Sequence, residues 1–292
     1  GKRASRLAQM MGMLQCVIFS PEDLDLVKGG PSVRRRFLDM LLSQLSTSYF
    51  TALQSYQQAL NQRNSLLRSM KFSDSRKNFD TLELWEDAMA RAAAVILPAR
   101  ADCCQRLAVE AGKRYQSISG REEENFTLTY MPCIRESEQI YEQITQQLSQ
   151  HREEDLRRGT STFGIHREDI GLAIRGKDMR LFASQGQIRT AALAMKLSEL
   201  SVFQDLAGEP PVLLLDDVMS ELDLTRRTRL LDEIRGVQTI ITCTDESDLA
   251  QREKYYPLHV SMNEQGFAQV EACELAERKE RMEALNDDFL NE

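Results

Sequence analysis

An apolar strand that ends in two carboxylates is encoded by Val212-Leu213-Leu214-Leu215-Asp216-Asp217. A short, continuous apolar run of this kind predicts a buried strand of a parallel sheet. Open α/β sheets bind their ligands beyond the carboxyl ends of such strands. The stretch therefore predicts an α/β fold, and it places Asp216 and Asp217 at the edge where a ligand would bind.

Paired carboxylates at a strand end suit the metal-assisted hydrolysis of a nucleotide. The first carboxylate can hold Mg²⁺, directly or through water, and its neighbour can orient the attacking water. The metal offsets the mutual repulsion that would otherwise raise the pKa of one of the two carboxyl groups. An ordinary strand end with two solvated carboxylates gives the same pattern, and the pattern alone favours that simpler interpretation.

A second candidate site precedes the strand, at Ala183-Ser184-Gln185-Gly186-Gln187. Ser184 is a suitable N-cap for the helix predicted over 185–206, and Gly186 would let a ligand approach the backbone. Unpaired N–H groups and the helix dipole both favour an anion at such a helix start. The motif alone is weak evidence, because many helices begin with Ser and contain an early Gly.

Long helices are predicted in the first half of the chain. One apolar stripe at three- and four-residue steps extends from Leu38 to Leu67, and another extends from Leu82 to Cys103. The polar segment Lys71–Asp80 suits the turn of a helical hairpin, and Pro98 is expected to kink or interrupt the second helix. These helices form an insertion in the α/β fold, which either projects from the sheet as an arm or packs flat on it.

Other patterns predict strands at 15–19, 126–130, 172–174 and 239–242, a hairpin near 263–266 and a charged helical tail.

Composition excludes some classes of protein. The longest apolar runs have six residues, far fewer than the roughly 20 that a membrane span needs. Six cysteines without CxxC or Cys/His ligand spacing indicate reduced thiols and a cytoplasmic protein. The net charge of −8 means that any nucleic acid must meet a local basic surface. Arg34–Arg36 and Arg226–Arg229 are candidates, although a solvated helix face is the simpler interpretation of each, and the lone His166 is interpreted as structural.

The order of the motifs distinguishes between these alternatives. The helix start at Ser184 is followed by the strand with its two aspartates, then by Ser220-Glu221-Leu222-Asp223, and then by a strand ending at Thr242-Cys243-Thr244-Asp245. This order resembles the second half of an ABC-type ATPase head, with its signature motif, Walker B, D-loop and switch position. The expected fold is therefore an α/β, partial ABC-type ATPase head with an inserted α-helical arm.

Further segments are similar to those of the RecF family of bacterial recombination proteins. They are Phe19–Leu24, Gly30–Asp39, Gly164–Ile170 and Phe182–Thr190. The resemblance covers nearly the whole chain and weakens in the arm and the tail. It implies four regions: residues 1–32 in the head, 33–150 in the helical arm or lobe, 151–273 in the head, and 274–292 in a charged tail.

The resemblance also implies roles for individual residues. Asp216 would serve Mg²⁺, and Asp217 would position or activate the hydrolytic water. Contact with the γ-phosphate of an ATP held by a second subunit would be made by Ser184, Gln185, Gly186 and Gln187. Ser220 and Asp223 would pass the state of one site to the other. Thr244 stands where many ABC ATPases have a switch histidine, which leaves its role as a γ-phosphate sensor open.

The function implied by the resemblance is ATP-dependent DNA binding in recombinational repair, replication-fork maintenance and the SOS response. The heads would form a homodimer around ATP, hold duplex DNA at single-strand gaps and junctions, and load recombinase with the RecO and RecR proteins. No GxxxxGK[ST] loop occurs in the chain. We therefore expect a C-terminal fragment that needs this loop for ATP hydrolysis, rather than a naturally degenerate head. The alternative function is a non-hydrolysing clamp or adaptor of the SMC type, for which the arm is short.

Overall fold

The computed structural model describes residues 12–71, 79–135, 138–245, 249, 254–263, 266–272 and 276–277. The chain divides into two compact units. The first consists of residues 1–214 with 237–240, and the second consists of residues 215–236 with 241–292. No helix in the described ranges is long and apolar enough to cross a membrane.

Eight of the nine α-helices in the described ranges lie in the first unit, and the ninth lies in the second. The helices are α1 (Asp25–Lys28), α2 (Pro31–Leu45), α3 (Thr47–Lys71), α4 (Phe79–Ser119), α5 (Ile140–Gln150), α6 (Arg152–Arg158), α7 (Met179–Phe182), α8 (Gln185–Ala207) and α9 (Leu224–Glu233). The strands are β1 (Cys16–Phe19), β2 (Phe126–Met131), β3 (Asp169–Ile174), β4 (Lys177–Asp178), β5 (Val212–Asp216), β6 (Thr239–Thr242), β7 (Lys254–Tyr255), β8 (Leu258–Met262), β9 (Ala268–Ala272) and β10 (Ala276–Glu277). The mixture of helix and sheet confirms the predicted fold class.

The strand that carries the two aspartates lies in the middle of a sheet. β5 is hydrogen-bonded between β1 and β6. Leu213 and Leu215 are buried, whereas Val212 and Leu214 are partly exposed. The predicted strand is present, and its burial alternates as it does in a strand packed more closely on one face than on the other. β2, β3 and β4 form a separate antiparallel sheet.

The first apolar stripe is divided between two helices. α2 ends where Ser46 adopts an extended backbone, and the Ser46 hydroxyl then accepts a hydrogen bond from the Tyr49 N–H at the start of α3. α4 continues through Pro98, so the expected interruption does not occur. Ile96 and Cys103, on either side of the proline, are fully buried, and this packing stabilises the helix against the cost of an internal proline. The predicted turn falls largely on residues 72–78, which lie outside the described ranges.

Two buried arginines join α3 and α4 to neighbouring elements. Arg63 of α3 contacts Glu86 of α4 at 2.8 Å and Asp155 of α6 at 2.6 Å. Arg100 of α4 contacts Asp39 of α2 at 2.8 Å and Glu168 at 2.6 Å. The removal of one partner of such a buried pair leaves an uncompensated charge, which costs about 3–5 kcal/mol. These contacts therefore fix how α2, α3, α4 and α6 pack.

α8 forms the centre of the first unit. It packs against α4 and β1, and its residues are buried on several faces from Ile188 to Phe203. A helix buried nearly all round provides a rigid base for the residues at its N-terminus. In the second unit, β8 and β9 pair as the predicted hairpin. Ala276–Glu277 is a short strand rather than helix, and the rest of the predicted tail helix lies outside the described residues.

Candidate nucleotide-binding site

Ser184 begins α8 as predicted and closes a capping box with Gln187. Its backbone is extended, and its hydroxyl accepts a hydrogen bond from the Gln187 N–H at 3.4 Å. The Gln187 side-chain oxygen accepts in turn from the Ser184 N–H at 2.8 Å. Ser184 and Gln185 are exposed, and Gly186 is partly exposed. The helix start therefore presents polar groups and a dipole that favour an anion, held in a defined local geometry.

The end of β5 is organised by a residue that the sequence analysis did not single out. The Thr242 hydroxyl accepts a hydrogen bond from the Asp217 N–H at 3.0 Å and donates one to Asp216 Oδ1 at 2.7 Å. One hydroxyl thus joins both aspartates to the end of β6. The only signal in the sequence is that Thr242 ends the next predicted strand, where a side chain can meet the end of β5.

Asp217 has an unusual backbone conformation. Its φ angle is +52°, in the left-handed region that few residues other than glycine adopt. Such conformations cost about 1–3 kcal/mol and are concentrated at functional sites. Both Asp216 and Asp217 are exposed to solvent at this turn.

The residues assigned to the D-loop come next in the chain, after Asp217. The Ser220 hydroxyl donates to the Asp217 carbonyl oxygen at 3.0 Å. Asp223 is the N-cap of α9, where its carboxylate accepts from the Arg226 N–H at 3.0 Å and pairs with the Arg226 side chain. The hydrogen bond from the Arg226 backbone lowers the pKa of Asp223, against a smaller opposing effect of burial. Asp223 therefore stabilises the start of a helix, a structural role that the sequence analysis did not assign.

Thr244 is exposed just beyond the end of β6. The structure thus gathers Asp216, Asp217 and Ser220 around the end of β5 in the second unit, whereas residues 184–187 belong to the first unit. Exposed carboxylates suit Mg²⁺, which proteins commonly hold with one or two such groups together with substrate phosphates. The donor set at the end of β5 fits that ion.

Two charged features of the sequence have structural roles instead. Arg34 is buried and forms two hydrogen bonds with Asp169, at 2.7 and 2.9 Å. It is therefore neither a phosphate contact nor part of a solvated helix face, the two roles considered for it from the sequence. Arg34 is buried because it lies on the inner face of α2. His166 contacts the Tyr56 hydroxyl at 2.8 Å, and burial lowers its pKa to about 4. The structural interpretation of His166 agrees with this geometry.

Comparison with known proteins identifies the family. No profile of a known family matches the chain. The DNA replication and repair protein RecF of Shouchella clausii is 42% identical over 255 residues, which cover 85% of this chain and 68% of that protein. The chain belongs to the RecF family. RecF of Acetivibrio thermocellus is 41% identical over 246 residues, which cover 82% of this chain and 66% of that protein.

Solved structures of RecF share this fold. The recombination mediator protein RecF with ATPγS, from the RecFOR pathway, superposes with a TM-score of 0.80 at 35% identity and covers 91% of this chain and 70% of that one. RecF with ATP gives a TM-score of 0.77 at 36% identity, covering 90% and 69%. The α/β ATPase-head fold predicted from the motif order is therefore confirmed. The chain spans about two thirds of the length of the curated relatives that it matches.

Proposed function

We propose that the chain contributes the signature, Walker B and D-loop parts of an ATP-dependent, DNA-binding RecF protein that acts in recombinational repair. One observation carries the proposal. In a chain of the RecF family, Asp216 and Asp217 are exposed at the end of β5 and are joined by the Thr242 hydroxyl. Solvated carboxylates at an ordinary strand end do not need such an arrangement.

Each residue at the end of β5 has a distinct part in the proposed mechanism. Asp216 would hold Mg²⁺, and the ion would neutralise charge on the phosphates of ATP. Asp217 orients and activates the attacking water. Thr242 holds the Asp216 carboxylate, and Asp217 lies in the left-handed turn that follows. Ser220 supports that turn through its hydrogen bond to the Asp217 carbonyl.

The signature residues act on the partner's nucleotide. Residues 184–187 contact the γ-phosphate of an ATP bound to a second subunit, so each site in the homodimer is shared. ATP then stabilises the closed dimer by mass action. Ser220 and Asp223 communicate between the two ATP sites of the dimer. Thr244 lies near the γ-phosphate without the usual histidine. Because the chain contains no P-loop motif, hydrolysis requires that loop from an adjoining segment.

The closed dimer binds duplex DNA and single-strand/duplex junctions, works with the RecO and RecR proteins, and acts in the cytoplasm. We also propose the division into 1–32 and 151–273 as the head, 33–150 as the arm or lobe, and 274–292 as the tail. The family name and the RecF structures with bound nucleotide support this proposal. An SMC-type clamp that does not hydrolyse ATP is the alternative, and hydrolysis measurements distinguish the two.

Complementation between two inactive variants tests the shared site. In protein extended by a P-loop segment, Ser184→Arg removes the signature and Asp217→Asn removes the water-orienting group. A mixed dimer then has one site with both changes and one site with neither. We expect the mixture to hydrolyse ATP faster than the sum of the two variants assayed separately.

Two other results would overturn parts of the proposal. If the mixture shows no gain although mixed dimers form, the signature does not act on the partner's nucleotide. If the unaltered extended protein does not hydrolyse ATP at all, the non-hydrolysing clamp is the better account. As a matched control, Asp232→Asn alters an exposed aspartate of α9, 55% exposed in its side chain, and should leave hydrolysis unchanged.

A further inference from the structure

Glu124 is a buried carboxylate beside the signature helix. It is 2% exposed and lies in the acidic run Glu122–Glu124, just before β2. Three side chains donate hydrogen bonds to its two oxygens: Tyr115, Arg121 at 3.1 Å and Gln187 at 3.0 Å. In the sequence nothing distinguishes Glu124 from its two exposed acidic neighbours.

One donor belongs to the long arm helix. Tyr115 lies in the last part of α4, is 1% exposed, and donates its hydroxyl hydrogen to Glu124 Oε2. Its ring stacks on Phe126, the first residue of β2, with centroids 5.1 Å apart. The carboxylate is therefore fixed relative to both α4 and the β2–β3 sheet.

Another donor belongs to the signature. Gln187 uses its side-chain N–H to bond Glu124 Oε1, and it uses its side-chain oxygen to accept from the Ser184 N–H. Both ends of the amide are therefore engaged, so its orientation is fixed. A change at Glu124 would release one end of the amide and, through the other end, would loosen the capping box.

The Glu124 carboxylate is suited to bind its three donors in its charged form. Burial raises the pKa of Glu124, but the hydrogen bonds from Tyr115, Gln187 and Arg121 outweigh it and leave the pKa below its usual value. Hydrogen bonds to an ionised group are stronger than those between neutral groups. A neutral amide at this position would offer one acceptor oxygen to three donors.

We propose that Glu124 is a positioning residue for the signature, holding Gln187 and Ser184 in the geometry that meets the partner's nucleotide and joining that geometry to the arm helix α4. This inference rests on the proposed function, because it concerns the same shared site. Glu124 itself does not touch the nucleotide. Its effect is on the ability of one subunit to close on ATP held by another.

The test compares two steps in protein extended by a P-loop segment. ATP binding to the isolated subunit uses the P-loop, whereas dimerisation also uses the signature. We expect Glu124→Gln to weaken ATP-dependent dimerisation by about tenfold or more, while nucleotide binding by the monomer stays unchanged. Sedimentation measures dimerisation, and a fluorescent ATP analogue measures binding. The matched control is Glu122→Gln, an exposed neighbour, which should change neither.

A second variant guards against a failure of Glu124→Gln to fold. Tyr115→Phe removes one donor and keeps the stacked ring, so we expect a smaller loss of dimerisation in the same direction. Equal dimerisation by both variants and unaltered protein would overturn the inference while leaving the proposed function intact. A parallel loss of monomer nucleotide binding would also overturn it, since that result indicates general structural damage. If the unaltered protein fails to dimerise with ATP, the proposed function itself fails.

Discussion

Charged side chains have opposite environments among α3, α4 and α6 and at the end of β5. Arg63, Glu86 and Asp155, one from each of these helices, are almost completely buried and form ion pairs. At the end of β5, Asp216 and Asp217 are exposed, and the Thr242 hydroxyl bonds the Asp216 carboxylate and the Asp217 backbone N–H. The same residue types thus serve packing in one region, and in the other they remain available to a ligand.

The largest expected effect lies at the buried ion pairs of α3, α4 and α6. Arg63→Ala leaves the buried Asp155 without its arginine, and it leaves Glu86 with Arg152 alone. We therefore expect the free energy of unfolding to fall by about 3–5 kcal/mol. Thermal or urea unfolding of the chain measures the loss. Arg68→Ala, an exposed change on the same helix, is the control and should have little effect. Similar losses for both variants would remove the contrast between buried and exposed charges.

The next effect is on catalysis. Asp217→Asn should slow ATP hydrolysis by about 100-fold or more, because general-base catalysis contributes on the order of 10²–10⁴-fold. ATP-dependent dimerisation and the melting temperature should stay nearly unchanged, since the side chain is exposed. Single-turnover hydrolysis by protein extended with a P-loop segment checks the rate. A full rate in this variant would show that another group orients the water.

A smaller effect is expected at Thr242. Thr242→Val removes the hydroxyl that joins Asp216 and Asp217, and the loss of such hydrogen bonds, worth about 0.5–1.5 kcal/mol each, should slow hydrolysis by about tenfold. Thr242→Ser keeps the hydroxyl and should restore most of the rate. The Mg²⁺ concentration needed for half-maximal hydrolysis should rise in the valine variant. If serine and valine behave alike, the hydroxyl does not organise the site.

The last effect concerns the pH dependence of stability, and it falls on a residue outside the proposed ATP site. His166 is held neutral by burial, with its pKa lowered from 6.5 to about 4. Protonation therefore favours the unfolded chain. The contribution of His166 to stability is fully present above about pH 6.5 and is lost as the pH falls toward 4, by up to about 1.4 kcal/mol per pH unit. Unfolding measured between pH 7 and 5 should show a shallower slope for His166→Gln. Equal slopes would mean that His166 titrates normally.

Much of the fold could be predicted from local patterns. The positions of β1, β2, β5, β6 and α8 follow from apolar periodicity and turn residues, which depend on neighbours in sequence. The break between α2 and α3 at Ser46 was not predicted, because the apolar stripe continues across it. The break depends on the local hydrogen bond from the Tyr49 N–H to the Ser46 hydroxyl. The sequence could not show that α4 continues through Pro98, because the packing on both sides of the proline involves residues distant in sequence.

The site could be predicted only in part. Motif order proposed residues 184–187, Asp216 and Asp217 as site residues, and the structure places them at the ends of regular elements, as expected. Thr242 and Glu124 were not identified. Their roles depend on hydrogen bonds to residues far away in sequence, and their types and neighbours are common in exposed loops and strands. The division into head, arm and tail stays a prediction, as do the roles of residues 184–187, Asp216, Asp217, Ser220, Asp223 and Thr244.

One measurement tests the central claim most directly, namely that the chain carries only part of a shared ATP site. Sedimentation velocity with ATP, Mg²⁺ and duplex DNA would compare the 292-residue chain with the same chain extended by a P-loop segment. We predict that only the extended protein dimerises and holds DNA in an ATP-dependent manner. ATP-dependent dimerisation of the 292-residue chain alone would contradict the account.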